Sequence, residues 1–111
     1  MTIEEYLSKP EKYRHQAQVY LKLARHMHKK GNASAYAKYS KKHCESLRKS
    51  QIWENRVRQS INRLNCSDEK MSLELKYLQG MTLDEIGEII GYSRRHINRI
   101  LKRGKEKLFT F

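Results

Sequence analysis

Arg94, Arg95, Asn98, Arg99, Lys102 and Arg103 lie close together near the end of a 111-residue chain, and their types suit one kind of chemistry. An arginine guanidinium fits guanine O6 and N7 with two parallel donors, and an asparagine amide fits adenine N6 and N7. Lysine and arginine also neutralise phosphate. At about 100° per residue, Ile97, Ile100, Leu101, Gly104 and Leu108 fall on one side of a helix, and Arg95, Asn98, Arg99, Lys102, Arg103 and Glu106 on or near the other. The candidate nucleic-acid set is Ser93, Arg94, Arg95, His96, Asn98, Arg99, Lys102 and Arg103. Arg95 and Asn98, early in the helix, are the expected base readers. Lys102 and Arg103, farther along, are the expected phosphate holders, with Ser93 and His96 as lesser phosphate contacts.

The other reactive residue types form no comparable group. His15, His26, His28, His43 and His96 show no i, i+4 pair that would converge on zinc. Cys44 and Cys66 are far apart in sequence and read as free thiols. There is no convergent carboxylate pair, no nucleophile–base set and no phosphate-binding glycine loop. The expectation is therefore a non-enzyme with no metal and no cofactor.

The elements that must position the basic helix are legible from their punctuation. Ser93 is the expected N-cap of a last helix that starts at Arg94 and runs to about Leu108. Thr82 and Glu85 form a capping box at the start of a short helix, Leu83–Ile90, which Gly91 ends. A short helix, a three-residue turn with glycine and a basic helix together have the spacing of a helix-turn-helix. Ile86, Ile90, Ile97 and Leu101 are its expected small core, and Gly87 is read as the place where the second helix approaches closely. Ser67 is expected to cap a preceding helix carrying Met71, Leu73, Leu75, Tyr77 and Leu78, ended by Gly80.

The N-terminal half also reads as helix. Thr2 caps a first helix expected to stop before Pro10, because the residue preceding proline disfavours the α region. A second helix then starts at Pro10 and reaches about Lys30, with Gly31 as its C′ residue. Its apolar stripe is Tyr13, Ala17, Tyr20, Leu21, Ala24 and Met27. A third segment, 34–65, reads as one helix or two, with Trp53, Val57, Ile61 and Leu64 along its second half. The stripe of the second helix needs a burial partner, either Trp53, Val57 and Ile61 or a second copy of the chain. The fold class is all-α: a helical N-terminal extension followed by a C-terminal helix-turn-helix domain.

Charge agrees with a polyanion as partner. The chain carries 24 Lys and Arg against 12 Asp and Glu, a formal net charge of +12. Met1–Leu64 has a net of +10, Cys66–Gly91 a net of −4 and Tyr92–Phe111 a net of +6. A membrane-surface helix has no need of that reversal, and no apolar run is long enough to span a bilayer. Met1–Leu7 has acids where a secretory signal needs a basic start and an apolar core, so the expected location is cytoplasmic.

The string MTLDEIGEIIGYSRRHINRILKRGKEKL, Met81–Leu108, resembles region four of bacterial sigma factors, the part that reads the −35 promoter element. Ile61–Leu64 and Asp68–Tyr77 resemble that family's two preceding helices, so the resemblance covers Trp53–Leu108. Tyr92-Ser93-Arg94-Arg95 is most similar to the sigma-region-four-like regulators of Gram-positive phages and prophages, the ArpU and RinA types. Departures exist: Ile100 stands where sigma factors often have arginine, Gly104 where alanine is usual, and Lys105 where leucine is common. The resemblance implies a helix-turn-helix of the region-four type in 53–111. The basic charge and the unpartnered stripe make 1–52 a helical region expected to serve dimerisation or partner binding. The resemblance further implies double-stranded DNA as partner, with RNA polymerase as a further partner, in a bacterial host. A homodimer is expected on another ground, because so small a chain has little core of its own. The function the resemblance implies is a sequence-specific transcription regulator, phage or prophage encoded. Two rivals stay open: a phage DNA-packaging protein like a terminase small subunit, and an adaptor that binds RNA polymerase or a host factor.

Overall fold

The computed structural model describes residues Met1–Phe109, and among them there is helix and no strand. The elements are α1 (Ile3–Lys29), α2 (Ala33–Asn62), α3 (Ser67–Leu73) continued by a π-helical turn (Glu74–Leu78), α4 (Leu83–Ile90) and α5 (Arg94–Phe109). No described helix is long and apolar enough to cross a membrane. The chain forms two compact units, one of Lys9–Trp53 and one that joins Met1–Ser8 to the residues from Glu54 onward. The sequence boundary at 52/53 did not anticipate that the first eight residues belong with the C-terminal module.

In the Lys9–Trp53 unit, α1 and α2 run as an antiparallel hairpin. Its turn is a Schellman motif: Gly31 at φ 73° donates to the His28 carbonyl and Asn32 donates to that of Met27. The Asn32 side chain then accepts from the Ala35 N–H at 3.1 Å and caps α2. Small residues close the hairpin, with Ala17, Ala24, Ser46 and Ser50 buried. A His43 ring nitrogen bonds the Ala17 carbonyl at 2.8 Å. Of the predicted stripe only Ala17 and Ala24 are buried, while Tyr13, Tyr20, Leu21 and Met27 are half-buried.

Pro10 does not divide the first two helices; α1 runs through it. Thr2 caps this helix as predicted, accepting from the Glu5 N–H at 3.1 Å. Interior proline costs a helix roughly 3 kcal/mol, through one missing hydrogen bond and the ring's clash with the carbonyl four residues back. The chain accepts that cost because Leu7 and the Pro10 ring are both fully buried. The 34–65 segment is one helix, as no breaker interrupts it.

The core of the other unit comprises Leu7, Val57, Ile61, Leu64, Leu73, Tyr77, Leu78, Ile86, Ile97, Ile100, Leu101 and Leu108. Val57 and Ile61, predicted as partners for the α1 stripe, therefore pack in this core instead. Of the apolar residues of the 67–79 helix, Met71 is 47% exposed, while Leu73, Tyr77 and Leu78 are buried. The helix expected over 67–79 widens at Glu74, where Gln79 donates to the Glu74 carbonyl five residues back. Ser67 is not its cap; Cys66 holds that position and makes no side-chain cap bond.

Candidate nucleic-acid interface

The interface is built on α5, and the short helix before it sets where α5 begins. Thr82 and Glu85 close the predicted capping box: the Thr82 hydroxyl accepts from the Glu85 N–H at 3.2 Å, and the Glu85 carboxylate accepts from the Thr82 N–H at 3.4 Å. Gly91, at φ 92°, ends α4 in the left-handed region that only glycine enters without strain. The N–H groups of Gly91 and Tyr92 both donate to the Gly87 carbonyl, at 2.8 and 3.0 Å. Gly87 lacks a side chain for a reason other than the predicted one. A β-carbon there would meet the Tyr92 carbonyl oxygen at 2.5 Å, so the turn, more than the second helix, requires the glycine. The Ser93 hydroxyl accepts from the His96 N–H at 3.2 Å and caps α5 as predicted.

α5 divides cleanly into two faces. Ile97, Ile100, Leu101, Gly104 and Leu108 are buried, and Arg95, Asn98, Arg99, Lys102, Arg103 and Glu106 are exposed. Burial of the first set against α3 and α4 fixes the rotation of the helix and turns the second set outward. Gly104 lets α3 come close: a β-carbon there would lie 2.9 Å from Leu73 Cδ1 and 3.5 Å from the Glu69 β-carbon. Ile90, a predicted core residue, is only partly buried.

The predicted site residues sit as follows. Arg94 and Arg95 are exposed at the N-terminal end, and Arg94 faces the Asp84 carboxylate at 3.7 Å, with both side chains more than two-thirds exposed. A pair so open to water adds little stability and leaves Arg94 available to a phosphate or base. Asn98 is exposed one turn on from Arg94 and Arg95. His96, Arg99, Lys102 and Arg103, with Glu106, line a shallow depression on the outer face. Glu106 is the one acid among them. Ser93 is exposed, with its hydroxyl already engaged as the cap. His96 is half-buried and stands edge-on to the Tyr92 ring, centroids 4.5 Å apart.

Three supporting contacts had no signal in the sequence. The Tyr92 hydroxyl donates to Asp68 at 3.0 Å, which ties the turn to α3 and raises the phenol's pKa through that bond and the carboxylate's charge. Lys107 donates to both oxygens of the buried Glu69 at 2.9 Å. The Glu4 carboxylate accepts from the Tyr77 hydroxyl and from Lys105, fastening the first turn of α1 to α5. These pairs lie 24 to 101 residues apart in sequence, and no local pattern marks them. Cys44 and Cys66 are free. Among the described residues no three His, Cys, Asp or Glu side chains gather in a way that could hold a metal.

No curated protein and no solved structure matches the chain. The family model for sigma-70, region 4, matches residues 67–110. The match starts at Ser67 and not at Trp53, and so leaves out the end of α2. Taken with the capped α4, the glycine turn and the two-faced α5, it makes the C-terminal module of this all-α chain a DNA-binding helix-turn-helix domain of the sigma region-four type.

Proposed function

We propose that this chain is a sequence-specific DNA-binding transcription regulator, phage or prophage encoded and working in a bacterial cytoplasm, which reads the major groove with the helix 94–108. The observation that carries the reading is the division of α5. Its apolar face is buried, and the row Arg95, Asn98, Arg99, Lys102 and Arg103 is exposed immediately after a glycine turn. In this reading Arg95 and Asn98 contact base edges, Lys102 and Arg103 hold phosphate, and Arg94, Arg99, Ser93 and His96 help seat the helix. The Tyr92-Ser93-Arg94-Arg95 start of the helix supports the phage type.

The same reading makes 53–111, together with Met1–Ser8, the DNA-binding domain, and the rest of 1–52 the partner-binding region. RNA polymerase is the second partner, a role that the region-four match supports. The homodimer also belongs to the proposal. Its support is the hairpin, whose buried residues are small while Val19, Leu47 and Ile52 remain 42, 39 and 43% exposed.

Selection of bound fragments from a random duplex pool tests the proposal. A recovered consensus is the expected result, and a palindromic one would accord with a dimer. Binding with no sequence preference, together with tight RNA polymerase binding, would instead favour the adaptor. A ring-shaped assembly in solution would favour the packaging protein.

A further inference from the structure

The hairpin of Lys9–Trp53 holds twelve Lys and Arg and two acids, Glu11 and Glu45. A surface that only keeps a protein soluble mixes the two signs, because gathered like charges repel and weaken the fold. Here like charges are gathered and held. Lys9 lies over the rings of Tyr13 and Trp53 at 6.0 and 5.7 Å. Lys12 and Lys49 lie over the same Tyr13 ring, each at 5.7 Å. Lys42 lies over Tyr20 at 5.6 Å and Lys38 over Tyr39 at 5.7 Å. The Tyr20 and Tyr39 rings stack on each other, centroids 6.3 Å apart.

The spacing makes a row of these lysines. Lys38, Lys42 and Lys49 are four and seven residues apart, which at about 100° per residue puts them within about 40° of one another on α2. Glu45 is the one acid on that line. At 1.5 Å per residue the row spans about 17 Å. Each ammonium is positioned by an aromatic ring, so less side-chain freedom is lost when an anion binds. The rings themselves are half-buried and covered by lysine or by each other, which leaves them poorly placed to stack on unpaired bases. That favours a charged backbone over a single strand as the ligand.

We infer that the hairpin is a second duplex-DNA contact, in which Lys9, Lys38, Lys42 and Lys49 hold the phosphate backbone without reading sequence. The ligand follows from the DNA-binding reading above, but the contribution is separable from it, because phosphate contacts set the salt dependence and base contacts set the preference.

The test uses the full chain carrying K38A, K42A and K49A together, and its lysine-to-arginine counterpart, on the selected duplex and on one of arbitrary sequence. Circular dichroism first establishes that each variant keeps its helix. The alanine variant should bind both duplexes more weakly by the same factor, and its slope of log affinity against log salt should fall by about two to three. The arginine variant should restore the slope. An unchanged slope, a loss confined to the selected duplex, or single-stranded RNA outcompeting the arbitrary duplex on the full wild-type chain but not on the alanine variant would each overturn the inference. Failure of the main reading looks different: no duplex is preferred, while the hairpin slope remains measurable on the arbitrary one.

Discussion

The carbonyl oxygen of Tyr92 lies 2.5 Å from where a β-carbon on Gly87 would be, whereas the nearest obstacle to one on Gly104 is the Cδ1 of Leu73 at 2.9 Å. The first obstacle is backbone inside a turn held by two hydrogen bonds to Gly87; the second is the end of a leucine side chain. Alanine gains about 1 kcal/mol over glycine in a helix interior, while overpacking costs about 1–3 kcal/mol. Gly87→Ala should therefore be net destabilising by about 1 kcal/mol or more, and should weaken DNA binding as the turn shifts. Gly104→Ala should stay within about 1 kcal/mol of wild type. Urea unfolding of both variants measures the difference, and equal effects would contradict the argument.

The N-terminal turn should matter to the helix-turn-helix despite its distance in sequence. Leu7 is fully buried in the core of that unit. Leu7→Ala should cost about 2–5 kcal/mol, read from thermal or denaturant unfolding.

Glu4 should make part of that stability depend on pH. Burial pushes its carboxyl up, but hydrogen bonds from Lys105 and Tyr77 outweigh this and hold it below its ordinary value of 4.5. Its contribution is then present above the unfolded-state value and lost as pH falls through the lower folded one. Wild type should lose stability faster than Glu4→Gln as the pH drops below 4.5, and should match its pH profile near neutrality, the offset between them being constant there. Because the Glu4 side chain is about half exposed, the effect should be small. Parallel curves in the acid range would remove Glu4 from the account.

Base readers and phosphate holders on α5 should separate in binding assays. Arg95→Ala or Asn98→Ala should cost about 1–3 kcal/mol on the selected duplex and relax preference at particular bases. Lys102→Ala should weaken every duplex alike and lower the salt slope by about one. Measuring each variant on selected and scrambled duplexes at two salt concentrations decides the matter. If Arg95→Ala and Lys102→Ala reduce binding to both duplexes by one common factor, the assignment fails.

Ser72 offers a stability gain. Its hydroxyl is fully buried and has no hydrogen-bond partner. A buried unsatisfied polar group costs roughly 1–3 kcal/mol, and the smaller alanine adds no clash. Ser72→Ala should raise the unfolding free energy by about 1 kcal/mol. A marked loss instead would show that the hydroxyl has a role in the folded chain.

Local signals carried most of the helix-turn-helix. The Thr82–Glu85 capping box, Gly91 and Ser93 each act within four residues of themselves, so composition and spacing alone located both ends of α4 and the start of α5. The period of Ile97, Ile100, Leu101, Gly104 and Leu108 told which face of α5 is buried, and so which side chains are free to meet DNA. Other features depended on partners distant in the chain. A local rule ends a helix at Pro10, yet α1 continues because Leu7 and Pro10 gain burial that a window of neighbouring residues cannot show. Val57 and Ile61 could have covered the stripe of Tyr13, Tyr20 and Met27, and the packed core instead groups them with Leu7, Leu73 and Leu101. Glu4 meets Tyr77 and Lys105, and Lys107 meets Glu69, only once the helices are packed. Sequence periodicity determines which face of a helix is apolar; tertiary packing alone decides what covers it, because burial energy depends on contacts and not on distance along the chain.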